Sequence, residues 1–235
     1  MTCLSRVDVA ILAGGMGTRI SSILGDTPKA LAPINGKPYL DHLLDWFAGF
    51  GVRKIVLCLG HLAEPIVAHV AGRPDTLCVV EPTPLGTGGA IKFARSQLAS
   101  DDVLIINGDT WLETDLCQFY ASHKKHGCPS SILCLRVDDV SRYGSVEIEG
   151  EKISMFLEKD PSKSGPGLIS AGAYLFSQSA LDQLMSTQGG SLEKDFLQTQ
   201  APGSIHGFVA DSANFIDIGT PESLQQASAI MPGRP

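Results

Sequence analysis

Residues 7–29 read VDVAILAGGMGTRISSILGDTPK, and this stretch decides how the rest of the chain is interpreted. It begins with a mostly apolar run at 7–12, which is typical of a strand buried on both faces of a parallel sheet. Three glycines within four residues follow, and such a loop lets backbone N–H groups approach an anion. Arg19 and Lys29 add two positive charges close behind the loop. The stretch therefore predicts a strand that ends in a phosphate-binding loop.

Two common phosphate-loop motifs do not fit this stretch. The Rossmann pattern G-x-G-x-x-G needs a small residue where Ile20 stands. The P-loop needs Ser or Thr after its Gly-Lys pair, but residues 36–38 read GKP. A glycine turn after a strand can also be purely structural. Arg19 and the Pro28-Lys29 pair favour a binding role over that alternative.

Composition limits the partners that the chain can have. Its 235 residues are enough for one large α/β domain, and its formal net charge of −7 argues against a nucleic-acid partner, which would need a basic face. A nucleotide ligand needs only a local cluster of positive charge. The sequence shows neither an apolar run of membrane-spanning length nor a basic-apolar signal segment, so we expect a cytoplasmic protein without a membrane partner. The six cysteines show no metal-binding spacing, and we expect them to be reduced, with three as small buried hydrophobes: Cys58, Cys78 and Cys134.

Strand and helix signals alternate in the first half of the chain. After the strand at 7–12, buried strands are predicted at 54–59, 77–80 and 103–107. Helices are predicted between them, at 39–50, 65–70 and 90–98. This βαβ pattern predicts a doubly wound parallel sheet.

The second half has a different pattern. Polar and apolar residues alternate at 142–148 and 152–158 around Gly150, which predicts a half-exposed hairpin. Further strands are predicted at 131–137, 168–176, 205–209 and 214–218, and helices at 179–185, 191–197 and 221–230. The predicted fold class is therefore α/β, with a doubly wound, mostly parallel but mixed sheet, helices on both faces and a single domain of residues 1–235.

Three polar features follow predicted strands at the edge where ligands of open α/β sheets bind. The glycine loop at 14–17 follows the first strand, and residues 81–90, EPTPLGTGGA, follow the third. The helix predicted after this second loop would direct its partial positive charge toward the loop. Asp109 follows the fourth strand, where it suits Mg²⁺ beside phosphates, although an aspartate there can also cap a turn. Asp115 is expected to cap the next helix, and His123, near the end of that helix, is expected to be solvated.

From Ile11 to Pro221 the chain resembles the sugar-phosphate nucleotidylyltransferases. The resemblance rests on L-A-G-G-x-G-T-R followed by P-K, on P-L-G-T-G-G-A, and on four later motifs, RYG at 142–144, FLEK at 156–159, SAG at 170–172 and FIDIGTP at 215–221. The family usually has Asn, or a small residue, where this chain has Ser170, so one sugar contact is not carried over. The resemblance implies a fold of the nucleotidyltransferase type, with a nucleotide-binding half at 1–127 and a sugar-binding half at 128–235.

The resemblance also implies which residues bind the substrates. Nucleotide contacts fall on the two glycine-rich loops and the end of the third strand, at Leu12, Ala13, Gly14, Gly15, Gly17, Thr18, Glu81, Pro84, Gly86, Thr87 and Gly88. Contacts to the sugar phosphate fall on Gly144, Glu158, Lys159, Ala171 and Gly172. The catalytic residues would be Arg19, on the leaving pyrophosphate, Lys29, on the α-phosphate or the acceptor phosphate, and Asp109. Asp109 and Asp217 would hold Mg²⁺ through hard oxygen ligands.

Within the family, the motifs are most similar to those of guanylyltransferases that act on heptose 1-phosphate. Glu81 fits this choice, because guanine presents N1–H and N2–H₂ as adjacent donors to one carboxylate, although Glu81 could instead be a solvent-exposed strand end. The expected substrates are a nucleoside triphosphate, GTP, and a sugar 1-phosphate, D-glycero-α-D-manno-heptose 1-phosphate. The expected reaction joins the nucleoside monophosphate to the sugar phosphate and releases pyrophosphate, in nucleotide-sugar and polysaccharide biosynthesis.

Alternatives stay open at this point. A uridylyl- or thymidylyltransferase for a hexose 1-phosphate would share these motifs. A non-catalytic regulatory subunit would bind a nucleotide sugar, but relatives of that kind typically lose the loop arginine, the lysine or the metal aspartates, which this chain keeps. A glycosyltransferase would show Asp-x-Asp after the fourth strand, whereas residues 109–111 read DTW. A homo-oligomer is compatible with the sequence.

Overall fold

The structure is a computed structural model, and it describes residues 2–160, 162, 164–210 and 213–231. These residues form thirteen strands, β1 (Asp8–Leu12), β2 (Pro33–Ile34), β3 (Lys37–Pro38), β4 (Lys54–Leu59), β5 (Thr76–Val80), β6 (Asp102–Asn107), β7 (Thr110–Glu113), β8 (Ser130–Val137), β9 (Ser145–Glu149), β10 (Lys152–Leu157), β11 (Gly167–Ser177), β12 (Ile205–Val209) and β13 (Asn214–Asp217). They also form eight α-helices, α1 (Ser21–Leu24), α2 (Tyr39–Phe50), α3 (Ala63–Val70), α4 (Gly86–Ala94), α5 (Leu116–His126), α6 (Gln178–Ser186), α7 (Leu192–Asp195) and α8 (Pro221–Ile230).

Nine of the described strands form one mixed sheet, in the order β5-β4-β1-β6-β11-β8-β12-β10-β9. The first four are parallel neighbours, whereas β11 runs antiparallel to both β6 and β8. β9 and β10 form the predicted antiparallel hairpin at the far edge. The predicted doubly wound mixed sheet is therefore confirmed.

Successive residues of β1 point into two apolar layers on opposite faces of the sheet. Val9 and Ile11 belong to the layer that contains side chains of α2, α3, α5 and α8. Ala10 belongs to the other layer, with side chains of α4 and α6. All three residues are fully buried, which explains why β1 reads as an almost continuous apolar run. No helix within the described residues has both the length and the apolar character needed to cross a membrane.

Two local predictions differ from the structure. Helix α4 begins at Gly86, four residues before the predicted start at 90, because the Gly190 carbonyl accepts the N–H groups of both Gly88 and Gly89 and so stabilises an earlier first turn. Strand β7 was not predicted at all. It pairs antiparallel with β13 outside the main sheet, and this pairing places the end of β13 beside the start of β7.

The prediction that all cysteines are reduced is wrong for two of them. Cys3, before β1, and Cys117, in the first turn of α5, form a disulfide with a Cα–Cα distance of 5.6 Å. They are separated by 114 residues, so only the folded chain reveals the pair. Cys58, Cys78 and Cys134 are free. Cys58 and Cys134 are buried as expected, but Cys78 is only partly buried.

The prediction that His123 is solvated is also wrong. His123 is only 3% exposed, because its helix packs on β8, where Ser131 Oγ lies 2.6 Å from His123 Nδ1. Its other ring nitrogen lies 3.3 Å from the buried carboxylate of Asp102, which also forms a 2.7 Å ion pair with Lys124. Burial by itself would raise the pKa of Asp102, but the hydrogen bonds from His123 and Lys124 outweigh it and lower that pKa to about 2.

Candidate active site

The carboxyl ends of the parallel strands open into one cavity of about 990 Å³. Both halves of the chain contribute to its wall. All but one of the residues predicted to bind substrate or metal line this cavity, namely Leu12, Ala13, Gly14, Gly15, Gly17, Thr18, Arg19, Lys29, Glu81, Pro84, Gly86, Thr87, Asp109, Gly144, Glu158, Lys159, Ala171, Gly172 and Asp217.

Gly88 is the exception, and its role is in packing. It is buried, its N–H donates to the Gly190 carbonyl at 2.7 Å, and a Cβ at this position would lie 3.1 Å from the backbone nitrogen of Leu192. Gly89 donates to the same carbonyl at 3.1 Å. These two N–H groups of α4 are therefore used within the chain, whereas Gly86 and Thr87, the first two residues of the helix, line the cavity.

The first glycine loop follows β1, and a hydrogen bond to the neighbouring strand β4 fixes where it begins. Ala13 N–H donates to the Cys58 carbonyl at 2.9 Å, which fixes the point where the loop leaves the sheet. Gly17 has φ +58°, a left-handed conformation that glycine adopts without strain. A Cβ on Gly15 would meet no atom within 4 Å, so this part of the loop borders open space. Arg19 is exposed, and its guanidinium pairs with no carboxylate of the described residues.

Glu81 occupies a narrow position between the ends of β1 and β4. A Cβ on Gly60 would lie 2.7 Å from Glu81 Oε1, and one on Gly14 would lie 3.3 Å from the same atom, so two glycines make room for this carboxylate. The other oxygen, Oε2, is buried and has no hydrogen-bond partner among the described residues. Burial raises the pKa of Glu81, and a hydrogen bond from the Leu85 backbone opposes that shift. A ligand that donates hydrogen bonds would satisfy the unpaired oxygen.

Asp109, in the turn between β6 and β7, and Asp217, at the end of β13, lie at the rim of the cavity. Asp217 is opposite Thr110 in the β7–β13 pair, and the N–H of Ile218 donates to the Asp109 carbonyl at 2.8 Å. Each carboxylate has a cation beside it. Lys29 Nζ is 2.7 Å from Asp109 Oδ2, and a guanidinium nitrogen of Arg142 is 3.0 Å from Asp217 Oδ2.

The two carboxylates fit a divalent cation. The fully buried Tyr39 hydroxyl has no hydrogen-bond partner among the described residues, and its pKa is raised well above the ordinary value by burial and then by the charges of Asp109 and Asp217. The charges of both carboxylates therefore reach the same hydroxyl, which is consistent with their positions on one rim of the cavity. Within the described residues, no three His, Cys, Asp or Glu side chains form a metal-binding group, so phosphate oxygens and water would supply the other ligands of a Mg²⁺ ion.

The second half of the chain, residues 128–235, contributes acidic and hydroxyl groups to the cavity wall. Burial raises the pKa of Glu158, and the negative charge of Glu193 raises it further. Ser170 Oγ lies 3.3 Å from the Tyr174 hydroxyl and 3.3 Å from the backbone nitrogen of Gly172. Gly172 has φ +70°, and a Cβ there would lie 2.5 Å from the Asn107 amide nitrogen, so only glycine fits.

Some cavity residues were missed or undervalued in the sequence analysis. Arg142 belongs to a motif that was recognised, but its pairing with Asp217 depends on β13. Glu193 lines the cavity and lies in a segment that showed only a helical signal. His61 also lines the cavity. No local pattern distinguishes these residues from ordinary surface side chains, because their position depends on how the two halves pack.

Over residues 9–232 the sequence matches the family model described as nucleotidyl transferase. The chain belongs to this nucleotidyl transferase family. One relative of this nucleotidyl transferase is the D-glycero-alpha-D-manno-heptose 1-phosphate guanylyltransferase of Aneurinibacillus thermoaerophilus, 32% identical over 227 residues, or 94% of this chain and 96% of that protein. Another is the mannose-1-phosphate guanylyltransferase of Mycobacterium tuberculosis, 33% identical over 236 residues, or 95% of this chain and 64% of that protein.

A solved structure of a relative has the same fold as this chain. HddC from Yersinia pseudotuberculosis superimposes with a TM-score of 0.82 at 36% identity, covering 95% of this chain and 98% of HddC. HddC has also been solved in complex with GMP-PN, and that structure superimposes with a TM-score of 0.81. The predicted fold class and the predicted enzyme class, a sugar-1-phosphate nucleotidylyltransferase, are confirmed by the family match and these relatives.

Proposed function

We propose that this enzyme transfers GMP from GTP to D-glycero-α-D-manno-heptose 1-phosphate, with release of pyrophosphate and with Mg²⁺ as cofactor. One observation carries the proposal, namely that the unpaired buried oxygen of Glu81 shares one cavity with Arg19, Lys29 and the two aspartates. The names of two relatives support guanine as the base, and that of the Aneurinibacillus enzyme supports heptose as the sugar. The Mycobacterium tuberculosis relative makes mannose 1-phosphate the second candidate acceptor.

The proposed reaction is a direct displacement at phosphorus. An oxygen of the sugar 1-phosphate forms a bond to the α-phosphorus of GTP, the bond between that phosphorus and the bridging oxygen breaks, and pyrophosphate leaves with the electron pair. The acceptor phosphate is already ionised at neutral pH, so the step needs no general base. Catalysis therefore depends on alignment of the two phosphates and on neutralisation of their charge.

The roles of the side chains follow from their charge and position. Arg19, which is exposed and unpaired with any described carboxylate, binds the leaving pyrophosphate. The Lys29 ammonium group leaves its ion pair with Asp109 and binds an oxygen of the α-phosphate or the acceptor phosphate. Lys159 binds the sugar phosphate, and Glu158 and the Gly144 N–H hold sugar hydroxyls. Asp109 and Asp217 would hold a Mg²⁺ ion, which would neutralise charge on the phosphate oxygens.

The proposal is tested by pyrophosphate release from a matrix of nucleoside triphosphates and sugar 1-phosphates. We expect the highest kcat/KM for GTP with the manno-configured heptose 1-phosphate. Asp109→Asn should lower the rate about 10²- to 10³-fold, as for other single preorganised contacts to a transition state. Asp101→Asn is the matched control, because Asp101 is exposed and outside the cavity.

Three results would contradict parts of the proposal. A preference for UTP or dTTP with a hexose 1-phosphate would reassign the substrates. Binding of a nucleotide sugar without pyrophosphate release from any pair would indicate a regulatory subunit. Full activity of Asp109→Asn would remove Asp109 from the metal site.

The proposed cytoplasmic location follows from the need for nucleoside triphosphates, and the Cys3–Cys117 disulfide is unusual in that compartment.

A further inference from the structure

Glu193 is a cavity residue whose position is fixed by its own short helix. Ser191 caps α7 by accepting the N–H of Lys194 at 3.1 Å, and the Ser191 N–H donates to Asp195 Oδ2 at 2.8 Å. Leu192, the next residue, is fully buried. The backbone on which Glu193 stands is therefore anchored on both sides, and the side chain lies in the cavity wall with Glu158 and Tyr174.

The Thr87 hydroxyl joins Glu193 to the second glycine-rich loop. Thr87 Oγ1 accepts the N–H of Leu192 at 2.8 Å and donates to Glu193 Oε2 at 2.8 Å. Ser191 Oγ lies 3.3 Å from the same carboxylate oxygen. Two donors thus converge on Oε2, whereas Oε1 has no hydrogen-bond partner among the described residues. A residue of the nucleotide-binding half therefore orients a carboxylate of the sugar-binding half.

The side chains of Glu193 and Glu158 both line the cavity. The negative charge of Glu193 raises the pKa of Glu158, after burial, and it also contributes to the raised pKa of the buried Tyr174. Two carboxylates in the wall of one cavity repel each other, and hydrogen-bond donors between them relieve that repulsion. A sugar supplies such donors, because its adjacent hydroxyls can donate to one carboxylate each.

We propose that Glu193 is a specificity-determining residue for the sugar 1-phosphate, whose Oε1 accepts a hydrogen bond from a hydroxyl of the sugar that Glu158 also binds. Thr87 is the positioning residue that orients it and that links sugar recognition to the nucleotide loop. This inference rests on the proposed function and adds Glu193 to the residues that contact the sugar.

The first test is the steady-state kinetics of Glu193→Gln. The amide keeps the shape and can still accept from Thr87, but it loses the charge. The KM for the sugar 1-phosphate should rise about 10- to 100-fold, the range expected for loss of one hydrogen bond to a charged group. The KM for GTP should stay within about twofold. Glu64→Gln, on the exposed face of α3 and outside the cavity, is the matched control and should keep both wild-type KM values.

The second test concerns Thr87. Thr87→Val removes the hydroxyl and should raise the KM for the sugar 1-phosphate, whereas Thr87→Ser keeps the hydroxyl and should restore it. Combining Thr87→Val with Glu193→Gln should raise this KM by less than the product of the single effects, because both changes disturb one contact. Thermal melting of each variant establishes that it is folded.

Two outcomes would overturn the inference. In the first, the KM of Glu193→Gln for the sugar 1-phosphate lies within twofold of wild type. In the second, its KM for GTP rises in parallel, which indicates a general structural role. Wild-type protein that releases no pyrophosphate with any substrate pair would reject the proposed function itself, whereas active wild type with an unchanged Glu193→Gln variant would reject only the role of Glu193.

Discussion

Replacing Glu81 by Gln is a sharp perturbation of base recognition. The side chain is confined, since a Cβ on Gly60 or Gly14 would lie 2.7 or 3.3 Å from Glu81 Oε1, so an amide of the same shape should occupy the same position. The buried Oε2 has no partner among the described residues, and guanine would offer it N1–H and N2–H₂. In Glu81→Gln one acceptor becomes an NH₂ donor, which faces a donor of guanine.

The expected size of the effect follows from the type of contact. A hydrogen bond to a charged group contributes about 1.5–3 kcal/mol, which is about a 10- to 100-fold change in kcat/KM for GTP. ITP lacks the N2 amino group, so its kcat/KM should fall less, and that for UTP should hardly change. The substitution should not lower the stability of the folded protein. Burial raises the pKa of Glu81, so the ionised carboxylate is less favourable in the folded than in the unfolded protein near neutral pH. A neutral amide at this position removes this loss of stability.

The assay is pyrophosphate release with GTP, ITP and UTP at a fixed concentration of sugar 1-phosphate. Glu149→Gln is the control, because Glu149 is exposed on the edge strand β9. Thermal melting near neutral pH should give a midpoint for Glu81→Gln equal to or above that of wild type. If the ratio of kcat/KM for GTP to that for UTP is unchanged in the folded Glu81→Gln variant, Glu81 does not recognise the base.

Two further predictions concern stability. The pKa of Asp102 is lowered from 3.8 to about 2, so its contribution is complete above pH 4 and is lost as the pH falls toward 2. Asp102→Asn should therefore lower the free energy of unfolding by about 2 kcal/mol at pH 7 and by much less near pH 2, and urea titrations that show the same loss at both pH values would contradict this. The Cys3–Cys117 disulfide should leave four titratable thiols in protein denatured without reductant, and its reduction should lower the free energy of unfolding by about 2–4 kcal/mol; six titratable thiols without reductant would disprove the pair.

Features with a local cause could be predicted from the sequence. Helices α2 and α8 have the predicted bounds, because each end carries its own signal. Pro221 stands in the first turn of α8 after the cap Thr220, and Gly51 ends α2 in a left-handed conformation. Asp115 caps α5 as predicted, by accepting two backbone N–H groups. The location of the cavity also followed from the sequence, because ligand-binding loops of parallel sheets lie at the carboxyl ends of the strands.

Features that depend on distant contacts could not be predicted. Gly88 resembled a ligand-binding glycine, but Gly190 occupies its N–H. Glu193 showed no signal in the sequence, because its importance comes from Thr87, 106 residues away. His123 looked like a solvated residue of a basic helix end, and only the packing of α5 on the sheet buries it. In each case the deciding neighbour is remote in the sequence, so local patterns carry no information about it.

The most direct measurement is a crystal structure of this enzyme with Mg²⁺, a non-hydrolysable GTP analogue and the sugar 1-phosphate. The triphosphate should lie on the loop at 14–18 with Arg19 and Lys29 within hydrogen-bond distance of its oxygens, and the sugar phosphate should contact Lys159. A triphosphate bound outside this cavity, or inside it without contacts to either Arg19 or Lys29, would contradict the mechanism.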